Sequence, residues 1–181
     1  MKVCNLFAGP GSGKSTTAAA LFAELKYRNV NAELIQEAAK DAAWEGRSGK
    51  FFAAQQYILG EQSWRQWRLK GDVDIAVTDS PLPMGLVYME PSFPAQSLRQ
   101  MILEDFHSYD NFNVFITRNK PYNNKGRMQD EAEAKVLDGL IRDMLHENNI
   151  EYIELPFNRD LPYAILGRMG LSDWFPTKEV D

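Results

Sequence analysis

Apolar and polar positions change period several times along the chain, and each change marks an element. KVCNLF, Lys2 to Phe7, is a short run with little polar content and predicts a buried strand. From Gly13 to Arg28 the apolar positions Ala18, Leu21, Phe22 and Leu25 recur at helical spacing, the inner side of an amphipathic helix. NAELIQ, Asn31 to Gln36, predicts a second strand, and the segment from about Phe51 to Lys70 a long helix ended by Gly71. DIAVTDSP predicts a third strand that stops at Ser80-Pro81. A helix over Ala95 to Tyr109, a strand NVFIT, a helix over Asp130 to Glu147 and a strand YIEL follow. Asp130, Glu131 and Glu133 suit the first turn of that last helix, where carboxylates meet its positive dipole end.

Strands that alternate with helices predict parallel pairing through crossovers. The expected fold is therefore α/β, a three-layer sandwich around a parallel five-stranded sheet. The 181 residues contain no repeat, low-complexity tract or Gly/Ser-rich linker, which predicts one domain over 1–181. Near the end, Trp174 and Phe175 are expected to pack onto the body.

Composition changes this picture little. At 44% hydrophobic and 25% charged the chain is ordinary for a globular protein. No apolar stretch approaches the ~18 residues of a membrane span, and the opening MKVCNLF reads as strand, not signal peptide. Cys4 is the only cysteine, so no internal disulfide forms and a reducing, cytoplasmic setting is expected, with Cys4 packed in its apolar run. The net charge of -5 weighs against a general nucleic-acid coat but leaves a local basic groove open. His107 and His146 lie far apart and form no metal-site spacing with that cysteine.

The chemistry starts at AGPGSGKST, Ala8 to Thr16, between the first strand and the first helix. This is the phosphate-loop pattern (P-loop), a glycine-rich turn closing on Gly-Lys-Ser before a helix. Gly9, Pro10, Gly11, Ser12, Gly13, Lys14, Ser15 and Thr16 are the expected nucleotide-binding residues. Gly9, Gly11 and Gly13 let backbone N–H groups turn inward toward phosphates, and the helix adds its dipole. Lys14 reaches the β- and γ-phosphates of ATP, and the Ser15 hydroxyl is placed to bind Mg²⁺.

Asp79 ends the apolar strand DIAVTD and is read as a second Mg²⁺ ligand, direct or through water; the alternative is a cap on the Asp-Ser-Pro turn. Glu37 ends the second strand on the side where such sheets bind ligands, so it is the candidate base for an attacking hydroxyl. It equally suits the first turn of the helix that follows, where Lys40, Asp41 and Trp44 are candidates to line an acceptor pocket. Between Arg118 and Arg127 stand Arg118, Lys120, Lys125 and Arg127 with no acid among them. Pro121, Asn123, Asn124 and Gly126 make this a loop, read as a lid over about 118–130 whose arginines neutralise transition-state charge, or else as a solvated loop. In the long helical segment Phe52, Tyr57 and Trp64 are expected to pack, with Glu61 and Arg65 as an i,i+4 pair.

The set AGPGSGKSTTAA, the acid at the second strand tip, VTDSP and the arginine-bearing loop resembles the nucleoside and nucleotide kinase group of P-loop proteins. RNKPYNNKGRMQDEAEA is similar to the lid of bacteriophage AAA-type kinase-like proteins and of nicotinamide-riboside kinase domains. The phage group includes kinases of 5-hydroxymethyluracil within DNA. The resemblance implies a kinase that uses ATP and Mg²⁺ and lies in the cytoplasm, the host's if the chain is phage-encoded. Its acceptor would be a nucleoside, a nucleotide or a modified base in DNA. One departure is that Ser80-Pro81 stands where deoxynucleoside kinases often place an arginine beside the third-strand acid.

The rival class is a P-loop ATPase or GTPase with a regulatory or nucleic-acid-processing role and no acceptor. A GTPase reads guanine with Asn-Lys-x-Asp, whereas this chain has Asn119-Lys120-Pro121-Tyr122, and tyrosine cannot accept guanine's paired donors. Leu82 stands where a GTPase has its glycine after the strand acid, and Ser80 where a motor has its second acid. The sequence therefore predicts in-line transfer of the γ-phosphoryl group. Lys14, Glu37, Asp79, Arg118 and Arg127 are its catalytic residues, and Ser15 and Asp79 its metal ligands.

Overall fold

The computed structural model describes residues 1–47, 49–89, 96–119 and 130–171. Five strands, β1 (Lys2–Phe7), β2 (Ala32–Ile35), β3 (Ile75–Thr78), β4 (Asp110–Thr117) and β5 (Ile153–Pro156), form one sheet in the order β2-β3-β1-β4-β5. All four pairings are parallel, as the alternation of elements requires. The helices are α1 (Lys14–Tyr27), α2 (Ala38–Trp44), α3 (Gly49–Ala53), α4 (Gln55–Trp67), α5 (Met84–Val87), α6 (Gln96–His107), α7 (Glu131–Glu147) and α8 (Leu161–Arg168).

The side-chain alternation of β1 divides the core. Cys4, Leu6 and Ala8 face a layer with Leu21 and Leu25 of α1 and Leu161 and Ile165 of α8. Phe7 faces the other layer, with Leu59 of α4, Ile102 and Phe106 of α6, and Ile141 and Leu145 of α7. Cys4 is fully buried among these apolar groups, which pushes its thiol up to about 12. Asn5, also buried, donates to the Asn111 and Asn113 side chains at 2.9 and 3.0 Å, so the central strand carries a satisfied polar bridge.

Several boundaries differ from the sequence expectation. The long helix is two, α3 and α4, with Ala54 between them outside helical backbone angles (φ -81, ψ 65). No Gly or Pro marks that break. α5 and α8 carry no strong periodic signal and were not expected; α8 is short and begins with Pro162 in its first turn. Tyr57 and Trp64, expected to pack, are more than half exposed. The Glu61–Arg65 pair does form, at 3.0 Å, and Asp41 joins it at 2.6 Å. Asp130 caps α7 with a full capping box, its carboxylate accepting from Glu133 N while Glu133 returns to Asp130 N, each at 2.8 Å. Trp174 and Phe175 lie outside the described residues. No described helix is long and apolar enough to cross a membrane.

Candidate functional site

Strands β2 and β3 lie to one side of β1 and β4 and β5 to the other, so chain direction across the sheet reverses at β1. The crevice beyond the strands' carboxyl ends at such a reversal is where open α/β sheets bind ligands. Residues 8–16 occupy that place, directly after β1.

The loop is built by backbone freedom at two positions. Gly11 (φ 81) and Gly13 (φ 106) both take left-handed angles that side-chain-bearing residues resist. Gly13 is the N-cap of α1, and its carbonyl accepts from Thr17 N at 2.9 Å. Ser12 is buried and its hydroxyl donates to Gly9 O at 3.1 Å, closing the turn from inside. A Cβ on Gly13 would lie 2.2 Å from the Phe157 ring, which follows β5.

This permits a two-sided prediction. Gly13→Ala is expected to lose about 2–5 kcal/mol, from left-handed strain of ~1–2 and overpacking of ~1–3. Gly139→Ala, at an exposed position inside α7 with nothing within 4 Å, is expected to gain up to ~1 kcal/mol. Thermal unfolding of both variants checks the pair, and equal shifts would refute the account of Gly13.

Lys14 begins α1 and its ammonium folds back over the loop, donating to Ala8 O at 2.6 Å and Gly9 O at 3.1 Å. Burial lowers its pKa from the ordinary lysine value; Glu37, Asp79 and Asp138 pull it back up, and Arg118 adds to the lowering. These four charges come from the ends of β2, β3 and β4 and from α7, so the fold gathers them around one ammonium. Ser15 and Thr16 lie exposed in the first turn of α1.

Asp79 follows β3 and is 8% exposed. The turn donor behind it, Ser80 N, is taken by Thr78 Oγ1 at 3.1 Å. Among the described residues the Asp79 carboxylate has no hydrogen bond or ion pair, so its oxygens are not spent on the turn. With the Ser15 hydroxyl it offers the hard oxygen donors that suit Mg²⁺.

Glu37 is the N-cap residue of α2, yet its side chain makes no cap hydrogen bond. The first N–H of α2, at Ala38, instead donates to Gln62 Oε1 of α4 at 2.9 Å. Gln62 thus ties α4 to the start of α2, the N–H of Lys40 donates to the Glu37 backbone carbonyl at 3.3 Å, and the Glu37 carboxylate makes no hydrogen bond among the described residues. Burial raises the Glu37 pKa above the usual glutamate range, Lys14 opposes this, and Asp79 adds to it. Tyr88, just after α5, is pushed up to about 12 by burial and by the charges of Glu37 and Asp138.

Asp41 is committed to Arg65, and Trp44 is 83% exposed, so neither presents a shaped wall to the loop. Arg118, at the end of β4, is paired with Asp138 of α7 at 2.5 Å. Arg127, with Lys120, Lys125 and most of the predicted lid, lies outside the described residues. Sequence reasoning missed Asp138, although a signal exists. It occupies the stripe of Ala134, Ile141 and Leu145, a carboxylate at an inward position of an amphipathic helix. Tyr88, Gln62 and Phe157 carry no comparable sequence signal.

The parallel sheet, the left-handed glycines and the lysine over the loop define a P-loop protein with the α/β fold of nucleotide kinases. More particularly, the chain belongs to the AAA domain family, which matches residues 3–161. No curated protein sequence matches it. Among solved structures it is similar to a deoxyadenosine kinase from M. mycoides, described with products dCMP and dCDP bound. The two share 15% identity and a TM-score of 0.53, over 94% of this chain and 99% of that one. It is also similar to the thymidylate kinase of Candida albicans, at 12% identity and TM-score 0.54, over 94% of this chain and 93% of that one. At these identities the likeness establishes a common fold.

Proposed function

We propose that this chain is a single-domain cytoplasmic kinase that transfers the γ-phosphoryl group of Mg-ATP to a hydroxyl of a nucleoside or nucleotide. The observation that carries the reading is the meeting of Lys14, Glu37 and Asp79 at the phosphate loop, with the Glu37 carboxylate making no hydrogen bond among the described residues and its pKa raised by burial. A carboxylate whose pKa moves toward neutrality is a better acceptor for a hydroxyl proton than an ordinary surface glutamate. A P-loop ATPase can use such a carboxylate to polarise water, so the acceptor assay below is what separates the two classes.

The loop amides and Lys14 hold the phosphates, with the ammonium stabilising charge between the β- and γ-groups. Ser15 and Asp79 would hold Mg²⁺, which supplies charge neutralisation at the phosphate oxygens. Glu37 orients the acceptor hydroxyl and takes its proton as the in-line transfer proceeds. Arg118, and Arg127 from the lid stretch, add positive charge near the transferring group. The fold shared with the deoxyadenosine and thymidylate kinases supports a nucleosidic acceptor.

A second reading, with the acceptor hydroxyl on a modified base in DNA such as 5-hydroxymethyluracil, draws on the groove between β2 and α4. Gln36, Glu61, Trp64, Arg65 and Arg68 line it. Trp64 and Trp67 are 54% and 58% exposed with ring centroids 5.6 Å apart, a surface on which bases can stack. Arg65 is already tied to Asp41 and Glu61, which reduces the charge available for a strand backbone. Labelled Mg-ATP is offered to nucleosides, mononucleotides, nicotinamide riboside and hydroxymethyluracil-containing DNA. Label on a free nucleoside or nucleotide supports the first reading, and label on the polymer the second. ATP consumption with no label on any acceptor would support the ATPase class instead.

A further inference from the structure

Asp138 is a charged residue on the buried face of α7, 8% exposed, in a stripe otherwise made of Ala134, Ile141 and Leu145. A carboxylate there is costly unless its lone pairs are met, and here they are met by the catalytic loop itself. Oδ1 accepts from Gly9 N of the phosphate loop at 2.6 Å. Oδ2 accepts from Arg118 Nε at 2.5 Å, and Arg118 Nη2 reaches Oδ1 at 3.3 Å and Ala134 O at 3.2 Å. The fit is closed: a Cβ on Gly9 would stand 2.7 Å from Ala134 O, 2.8 Å from Asp138 Oδ1 and 2.9 Å from Arg118 Nη2. Lys14 donates to the carbonyl of that same Gly9.

One carboxylate thus joins three separate parts of the chain. These are the start of the phosphate loop, the end of β4 that leads into the lid stretch, and the helix that leads out of it. We propose that Asp138 is a positioning residue for the nucleotide, fixing the Arg118 guanidinium and the first turn of the phosphate loop in one register. It acts through Arg118 and Gly9 and need not touch the triphosphate. A purely structural role would be served as well by apolar side chains in place of the whole Asp138–Arg118 pair, since buried ion pairs seldom outperform well-packed hydrocarbon in stability. The inference rests on the nucleotide-binding reading of the loop.

Asp138→Asn separates the two links, because the amide keeps an acceptor for Gly9 N but turns a donor toward Arg118. Coulomb's law alone predicts that deleting a negative charge near a polyphosphate tightens its binding. Loss of position predicts the reverse, a weakening of about tenfold or more, the worth of one hydrogen bond to a charged group. Mg-ATP dissociation constants, measured by calorimetry for the wild type, Asp138→Asn, Arg118→Met and the double variant, decide between them. Thermal unfolding confirms that each is folded. The expected result is weaker binding in Asp138→Asn, with no further weakening when the same change is made in Arg118→Met. Should Asp138→Asn not fold, the uncharged double variant against Arg118→Met remains the test. Unchanged or tighter binding in Asp138→Asn overturns the proposal, and so does further weakening in the Arg118→Met background. A wild type that fails to bind Mg-ATP would instead remove the nucleotide reading on which it rests.

Discussion

Lys14→Met is expected to lower phosphoryl transfer from Mg-ATP by ~10²–10³-fold, the range of removing one preorganised donor from a transition state, while the protein stays folded. Among the described residues the ammonium donates hydrogen bonds to the Ala8 and Gly9 carbonyls of its own loop, so it ties down no apolar packing. Its pKa is lowered by burial from the ordinary lysine value, which sets the sign of its effect on stability. A base with a lowered folded pKa is harder to keep charged in the folded state than in the unfolded one. That cost is present at neutral pH and disappears only as pH rises through the window between the folded and the ordinary lysine values. At pH 7 the variant should therefore melt no lower than the wild type, and its relative advantage should shrink in strong alkali. Turnover assays and thermal unfolding on the same preparations check both halves. Turnover close to wild type would remove Lys14 from the mechanism, and a collapsed melting temperature would make it a structural residue.

The second large effect is expected at Glu37. Glu37→Gln keeps the shape of the side chain and removes the proton acceptor, so turnover at saturating substrates should fall by ~10²–10⁴-fold, the range of general-base catalysis. Mg-ATP affinity should change much less, because in the proposed mechanism the loop amides and Lys14, not Glu37, hold the phosphates. The pH dependence follows from the raised pKa, whose first cause is burial. In the wild type the acidic limb of the rate profile should lie above the ordinary glutamate range, and in Glu37→Gln that limb should vanish. Stability runs the other way. The folded state retains the Glu37 proton at a pH where the unfolded chain has lost it. Wild-type stability relative to the variant therefore falls as pH rises from the ordinary glutamate value through the folded one. Glu37→Gln should thus compare best with the wild type at neutral pH and worst in acid. A rate profile with an unchanged acidic limb would assign the base to another group.

Much of this molecule is legible in one dimension because the relevant physics is local. The alternation of buried runs with helical periods implies crossovers, and a crossover implies parallel neighbours, so the sheet follows from KVCNLF, NAELIQ, DIAVTD, NVFIT and YIEL. AGPGSGKST is legible for the same reason. A phosphate cradle is made by consecutive backbone amides, and glycine spacing writes their geometry directly into the chain. The ends of β2 and β3 could likewise be read, and with them Glu37 and Asp79.

Other features depended on where distant segments came to rest. Gly9 and Asp138 are 129 positions apart, and no period or spacing relates them. The break at Ala54 has no Gly or Pro to announce it, and the exposure of Trp64 and Trp67 departs from an aromatic-rich helical pattern. Whether Glu37 caps its helix or faces the cleft was undecidable in sequence. The structure shows that it makes no cap hydrogen bond and that its charge is felt by Lys14 and Asp79, from the loop after β1 and the end of β3. The sequence by itself determined the parallel α/β sheet and the phosphate loop, since dihedral preference, period and consecutive amides are properties of neighbouring residues. Only the tertiary structure decided which charges face Lys14, what holds Arg118 and what sets Glu37, since burial and pairing are properties of residues brought together by packing.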